Sequence, residues 1–150
     1  MTHTLHRVQH VPTPLAETFD FFSRPENLDR ITPPWLAFTM VSDDADMRAG
    51  LRIEYRIRPL GFPQKWVSEI TAYDPPHRFV DEQVEGPYTR WHHEHTFRAV
   101  EGGTEVTDTV TYALPFGPLG RLAHFLVVGR QLESIFDYRR RRLRELLGGD

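Results

Sequence analysis

The feature that most constrains this chain is a long amphipathic helix, predicted over Gly117 to Leu147. Pro118 suits a first helical turn, where the N–H that proline lacks has no partner anyway, and the glycine pair at 148–149 suits a helix end. Apolar residues recur along the helix at three- and four-residue steps: Leu119, Leu122, Leu126, Gly129, Leu132, Phe136, Leu143 and Leu147. A stripe about eight turns long needs a wide apolar partner. We expect a curved antiparallel sheet there, with a cavity wherever sheet and helix do not meet.

The residues before Pro115 alternate between apolar and polar, which is typical of strands with one buried face. The clearest alternation begins at Leu51 and reaches Ile57. Strands are predicted over 3–11, 35–41, 51–58, 64–73, 77–85, 89–100 and 105–114, short helices over 14–23 and 26–31, a solvated loop over 42–46 and a turn over 60–63. The predicted fold class is therefore α+β, with a seven-stranded antiparallel sheet wrapped around the C-terminal helix and two short helices after the first strand. A chain of 150 residues fits a single domain, 1–150.

The composition excludes several classes of function. The chain has no cysteine, which rules out disulfides, thiolate nucleophiles and cysteine-ligated metals, and suits a reducing cytoplasm. A net charge of −3 gives no reason to expect nucleic acid as a partner. No signal peptide and no bilayer-spanning stretch is visible, so we expect a cytoplasmic protein without stable membrane insertion. The sequence does not decide whether the protein forms a homodimer.

A block of arginines, Arg139 to Arg142 with Arg144, lies on the last turns of the predicted helix. Cations there oppose the negative end of the helix dipole, and we expect these side chains on the solvated face. A further hypothesis is an interaction domain, in which this basic run contacts an acidic partner.

The glycine pair at 102–103 lies between two alternating runs and predicts a β-hairpin. Counting outward pairs Phe97 with Asp108, His95 with Val110, and His93 with Tyr112. The flanking Trp91 and Phe97 suggest that the strand face with His93 and His95 points inward. Phe79 lies on the same face of its own strand as Asp81 and Gln83, and indicates that these two also point inward. A buried charge is costly unless it is paired, so we expect Asp108 to hydrogen-bond to an inward histidine.

Four interpretations of these inward polar residues stay open: satisfied core pairs, ligand contacts, proton transfer by a His–Asp couple, and metal binding. His93 and His95 share a strand face, and Asp81 or Asp108 would complete a facial set of ligands. A histidine-rich strand is a weak signal, however, and the chain lacks both a His-Glu-X-X-His motif and a glycine-rich phosphate loop. We therefore predict no metal and no cofactor.

Three stretches carry a resemblance to a known family. They are FFSRPENL at 21–28, ITPPWL at 31–36 and DTVTYALPFGPLG at 108–120. With the element order above, they resemble the START-related helix-grip superfamily, SRPBCC, and most closely its small bacterial members grouped with polyketide cyclases and dehydrases. The resemblance implies an apolar pocket between a seven-stranded sheet and the C-terminal helix. The resemblance does not identify the ligand of this pocket, because the superfamily includes lipid carriers, hormone receptors, quinone-binding proteins and cyclases.

Two functions follow as hypotheses, and the sequence does not decide whether the chain is an enzyme. The first is binding of a hydrophobic or aromatic small molecule, such as a lipid, a quinone or a polyketide-like compound. The second is a cyclase or dehydratase in which a His–Asp pair acts as acid and base, with His93, His95 and Asp108 as candidates. The predicted ligand contacts are Trp35, Tyr55, Trp66, Phe79, Asp81, Gln83, Trp91, His93, His95, Tyr112, Phe125 and Gly129.

Overall fold

The computed structural model describes residues 2–42, 46–59 and 61–148. The predicted loop at 42–46 and the predicted turn at 60–63 lie partly outside the described residues, and so does the glycine pair at 148–149. No helix within the described ranges is long and apolar enough to cross a membrane.

One antiparallel sheet of seven strands forms the body of the structure, in the spatial order β1-β7-β6-β5-β4-β3-β2. The strands are β1 (Thr2–Val11), β2 (Thr39–Met40), β3 (Arg52–Ile57), β4 (Gln64–Asp74), β5 (Arg78–Glu85), β6 (Arg90–Val100) and β7 (Gly103–Ala113). The chain crosses from one edge strand to the other after β1, and then returns strand by strand until β7 pairs with β1. The predicted α+β class with seven antiparallel strands is confirmed.

The helices lie in the crossover and at the C-terminal end. The crossover holds α1 (Leu15–Phe22) and two 3₁₀ turns, Pro25–Ile31 and Pro34–Leu36. The C-terminal helical run has three parts: α2 (Gly117–Ala123), a π-helical turn (His124–Val128) and α3 (Gly129–Leu147).

The apolar stripe predicted along this run is buried only in its second half. Leu132, Phe136 and Leu143 of α3 are buried, whereas Leu119 is 72% exposed and Leu122 and Leu126 are each 54% exposed. A π-helical turn holds more residues than an α-helical turn, so it rotates the residues before it relative to those after it. Side chains that share one face by α-helical counting therefore point in different directions across 124–128.

The strand predicted over 35–41 is reduced to Thr39–Met40, because its first two residues belong to the 3₁₀ turn Pro34–Leu36. Pro33 and Pro34 have no N–H for a strand ladder, and the N–H of Leu36 instead donates to the carbonyl of Pro33. Ala37 then adopts a left-handed conformation with φ of 52°, and only Thr39–Met40 pair with β3.

The hairpin of β6 and β7 differs from the predicted register by two residues. The turn centres on Glu101 and Gly102, because Val100 pairs directly with Gly103. A side chain at Gly103 would collide with the main chain of Val11, so this glycine is needed in the strand beside β1. His95 consequently lies opposite Asp108, not opposite Val110. A shift of two residues leaves every side chain on its predicted face.

Candidate functional site

A cavity of about 370 Å³ lies between the sheet and the helices. Its volume is within the range of small-molecule sites, roughly 300–1,000 Å³. Seven of the predicted ligand contacts line it: Tyr55, Trp66, Phe79, Asp81, Trp91, His93 and His95. The walls are mostly aromatic and aliphatic. The charged side chains of the lining lie together on β5, β6 and α3, except for Arg24, which follows α1 and is paired with Asp20.

Four of the predicted contacts lie elsewhere, around a separate groove on the surface: Trp35, Tyr112, Phe125 and Gly129. None of these four is among the residues that line the internal cavity. Trp35 belongs to a 3₁₀ turn rather than a strand, and Phe125, which is 77% exposed, lies in the π-helical turn. The ring of Tyr112 is buried, but its hydroxyl hydrogen-bonds to Nε2 of His124 at 2.7 Å, on the groove side.

Gln83, also predicted as a ligand contact, forms two hydrogen bonds with the loop between β5 and β6. Its Nε2 donates to the carbonyl of Tyr88 at 2.7 Å, and its Oε1 accepts from the N–H of Tyr88 at 3.0 Å. Gln83 is not among the residues that line the cavity, whereas the ring of Tyr88, held by this loop, does line it.

Two histidines and two aspartates form a compact charged cluster, which we call the His–Asp cluster: His93, His95, Asp81 and Asp108. The two imidazole rings stack, with their centroids 3.7 Å apart. Nε2 of His93 hydrogen-bonds to Oδ1 of Asp108 at 2.8 Å, and Nε2 of His95 to Oδ2 of Asp81 at 2.6 Å. The hydrogen bond predicted between Asp108 and an inward histidine is present. Nδ1 of His95 lies 3.3 Å from Oδ1 of Asp108, without hydrogen-bond geometry.

Arg139 completes this cluster and was missed by the sequence analysis. Its Nη2 donates to Oδ1 of Asp108 at 3.0 Å, and its guanidinium lies 5.2 Å from the ring centre of Phe22 and 5.5 Å from that of Phe136. Placing Arg139 on the solvated face was wrong, because the residue is only 7% exposed. The signal was its spacing: it follows Phe136 by three positions and precedes Leu143 by four, so it lies within the apolar stripe.

The cluster keeps both carboxyl groups ionised. Burial raises the pKa of Asp108, but Arg139 and the two histidines lower it by more, so that it lies well below its usual value. Burial likewise raises the pKa of Asp81, and His93, His95 and Arg139 reverse that effect to leave it lowered.

The pKa values of the two imidazoles shift in opposite directions. Burial lowers the pKa of His93, and the neighbouring His95 lowers it further. Burial also lowers the pKa of His95, but its contacts with Asp108 and Asp81 raise it by more, and the net shift is upward. A proton shared by the pair therefore favours His95 over His93.

A metal ion fits this cluster poorly. Ligand atoms of Asp81, His93 and His95 lie within 4.8 Å of one another, which is compact enough for one ion. The two rings, however, are stacked 3.7 Å apart with only 25° between their planes. A metal binds an imidazole nitrogen in the ring plane at about 2.0–2.1 Å. Two nearly parallel rings at this spacing have no common point, about 2 Å from a nitrogen of each, that lies in both ring planes. The geometry therefore favours ion pairs among these side chains over a shared metal ion.

A short polar strip crosses the aromatic wall beside Asp81. Nε1 of Trp66 donates to Oγ of Ser68 at 2.8 Å, and the hydroxyl of Tyr55 lies 3.3 Å from the same oxygen. Burial raises the pKa of Tyr55, and the charge of Asp81 raises it further, so the phenol is neutral. The strip and the His–Asp cluster lie on neighbouring strands, where Ser68 and Ile70 of β4 pair with Gln83 and Asp81 of β5.

Comparison with known proteins gives one family and many similar folds. A family model described as "Polyketide cyclase / dehydrase and lipid transport" matches residues 11–135. Comparison with curated protein sequences finds no match.

Among solved structures, protein Ms6760 from Mycobacterium smegmatis is 24% identical, with a TM-score of 0.66 over 95% of this chain and 92% of its own. TTHA0849 from Thermus thermophilus is 21% identical, with a TM-score of 0.65 over 96% and 99%. CV1439 from Chromobacterium violaceum is 16% identical, with a TM-score of 0.72 over 100% and 99%. At these identities the likeness shows a shared fold.

Proposed function

This chain belongs to the polyketide cyclase / dehydrase and lipid transport family, and from that premise we propose that it binds a hydrophobic or aromatic small molecule in its internal cavity. The observation that carries the proposal is the wall of this cavity. Tyr55, Trp66 and Trp91 line a space of about 370 Å³, and the charged groups of the lining other than Arg24 are gathered in one region. Mostly apolar walls with a few placed polar groups are how small-molecule sites are built.

The ligand class that suits such walls is lipid, quinone or polyketide-like. Flat rings complement flat ring systems, and Trp66 and Trp91 already meet edge to face, with centroids 5.2 Å apart. The charged groups would orient the ligand, and the aromatic surface would supply most of the affinity.

Filling the cavity should abolish this binding. Ile135 of α3 is partly buried, packs against the apolar cluster of Leu36, Ile57 and Trp66, and lines the cavity. We expect Ile135→Trp to lose any apolar molecule that travels with the wild-type protein, because the larger indole occupies the ligand's space. The measurement is native mass spectrometry of gently purified protein, followed by organic extraction and mass analysis.

Ser134→Trp is the matched control, because Ser134 is the preceding residue on the same helix, is exposed and faces the surface groove. It should retain the ligand. Equal loss in both variants would place the bound molecule outside the cavity. A wild-type protein that carries no ligand and takes up none of a neutral aromatic dye would contradict the proposal.

A second candidate function is catalysis of the cyclase or dehydratase kind. The observation that favours it is that the hydrogen-bonded pair of His95 and Asp81 lies at the cavity wall, within reach of a bound molecule. A carboxylate that holds an imidazole in one orientation is a common acid–base arrangement, and such groups contribute about 10²–10⁴-fold to rate. The substrate would be a carbonyl compound that loses water or closes a ring.

His95→Gln separates the two functions. A carrier should keep its affinity within a few-fold, since most of its contact is apolar, whereas an acid–base catalyst should lose about 10²-fold or more in turnover. The measurement is mass analysis of the extracted ligand after incubation with each protein, looking for the loss of one water or an isomerised product. His92→Gln, on the opposite face of the same strand, should behave as wild type. Unchanged turnover in His95→Gln would rule out this residue as the acid or base.

A further inference from the structure

Asp81 offers the cavity a hydrogen-bond acceptor that no residue in the described ranges uses. Its side chain is 18% exposed and lines the cavity from β5. The carboxylate meets both histidines through one oxygen, Oδ2, at 2.6 Å from Nε2 of His95 and 3.8 Å from Nδ1 of His93. Among the described residues no hydrogen bond reaches the other oxygen, Oδ1. An ionised oxygen in an apolar enclosure gains most from a ligand that donates to it.

The charge balance of the His–Asp cluster decides what kind of donor suits this oxygen. Asp108 is matched by Arg139 at 3.0 Å, and Oδ2 of Asp81 is hydrogen-bonded to Nε2 of His95 at 2.6 Å. Arg24 also lines the cavity but is paired with Asp20 at 3.0 Å, so a ligand carboxylate or phosphate would have to compete with carboxylates already bound to these cations. A ligand ammonium would have to share Asp81 with His95. Burying an unmatched charge is far more costly than burying a neutral hydroxyl that is hydrogen-bonded.

The volume limits the size of the apolar part. About 370 Å³ lies at the lower end of the range of small-molecule sites, roughly 300–1,000 Å³. Two fused aromatic rings with one substituent fit within this space. Trp66 and Trp91, whose rings meet edge to face, both line it.

We propose that the ligand of this cavity is a neutral, ring-containing molecule whose hydroxyl group donates a hydrogen bond to Oδ1 of Asp81. The inference rests on the proposed binding function and adds the chemistry by which the site selects its ligand. Asp81 sets specificity: it favours a phenol or alcohol over the unsubstituted ring and excludes the matching carboxylic acid in its ionised form.

Three probes that share one ring system test this selection: naphthalene, 2-naphthol and 2-naphthoate. Binding is measured by isothermal titration calorimetry at pH 7 with the full chain. We expect the wild type to bind 2-naphthol about tenfold or more tightly than naphthalene, as a hydrogen bond to a charged group provides. 2-Naphthoate should bind about tenfold or more weakly than 2-naphthol.

Asp81→Asn tests the role of the residue, with Glu82→Gln as the matched control, since Glu82 is the next residue on β5 and points to the opposite face. Removing the negative charge of Asp81 removes both the proposed acceptor of the probe's hydroxyl group and the carboxylate that repels a ligand carboxylate, so the preference for 2-naphthol over 2-naphthoate should fall about tenfold or invert. Glu82→Gln should keep the wild-type order of affinities.

The outcomes separate this inference from the function on which it rests. Similar affinities of the wild type for all three probes, or tighter binding of 2-naphthoate, would overturn the inference and leave the binding function standing. An unchanged preference in folded Asp81→Asn would also overturn it. No binding of any probe, with the neutral dye also rejected, would overturn both. The wild-type series alone decides the question if the variant does not fold.

Discussion

Replacing Arg139 by methionine is expected to lower the free energy of unfolding by about 3–5 kcal/mol, the cost of breaking a buried ion pair by removing one partner. The guanidinium of Arg139 and the carboxylate of Asp108 are each only 8% exposed at the side chain, and they lie 3.0 Å apart. Methionine fills much of the same space between Phe22 and Phe136 but carries no charge. Asp108 would then stay buried with the histidines as its only partners.

The measurement is urea unfolding followed by far-UV circular dichroism at pH 7. Arg141→Met is the control within the same arginine run, because Arg141 is exposed and only lies against the ring of Tyr138. It should change the free energy of unfolding by less than about 0.5 kcal/mol. The double variant Arg139→Met, Asp108→Asn removes both charges and should recover much of the loss. A loss below about 1 kcal/mol in Arg139→Met would contradict the buried pair.

Acid is expected to destabilise the protein steeply, and Asp108 is the main reason. The folded-state pKa of this carboxyl lies well below the value of 3.8 expected for an unperturbed aspartate. The unfolded chain therefore takes up the proton first as the pH falls. The stabilisation is fully present above about pH 4 and is lost as the pH falls toward the folded-state pKa. Each unit of lowering corresponds to about 1.4 kcal/mol at 25 °C.

Several titratable groups contribute to the acid response, so a comparison isolates Asp108. His93 and His95 of β6 and Arg139 of α3 face the carboxyl group of Asp108. Asp81, whose pKa is also lowered, contacts the same two histidines. The free energy of unfolding is measured from about pH 5 down to about pH 3 in the wild type and in the Arg139→Met, Asp108→Asn double variant. The wild-type curve should fall more steeply below about pH 4. Parallel curves would show that Asp108 is not the group responsible.

The inward direction of the site residues was predictable from sequence because strand alternation is a local property. Every second side chain of a strand points the same way, so Phe79 indicates the direction of Asp81, and Phe97 indicates that of His95 and His93. A register shift of two residues moves no side chain to the other face. The hairpin prediction therefore placed these residues on the correct face while pairing them with the wrong partners.

The pairing itself was not predictable because it depends on a strand far away in the chain. Gly102 and Gly103 each suit a hairpin turn, and the sequence does not distinguish a turn at 101–102 from one at 102–103. The close approach of β1 decides between them, since Gly103 lies against Val11. The outcome places His95 directly opposite Asp108 and makes the cluster possible.

The sequence by itself determined the seven strands, the C-terminal helical run and the inward faces, because these follow from spacing between residues that are neighbours in the chain. Only the tertiary structure decided which carboxylate pairs with Arg139, that Trp35 and Phe125 line the surface groove, and that no hydrogen bond within the described residues reaches Oδ1 of Asp81. Each of these depends on which elements meet in space. Charge burial is favourable only where a partner from another element is within hydrogen-bond distance, and no local pattern encodes that distance.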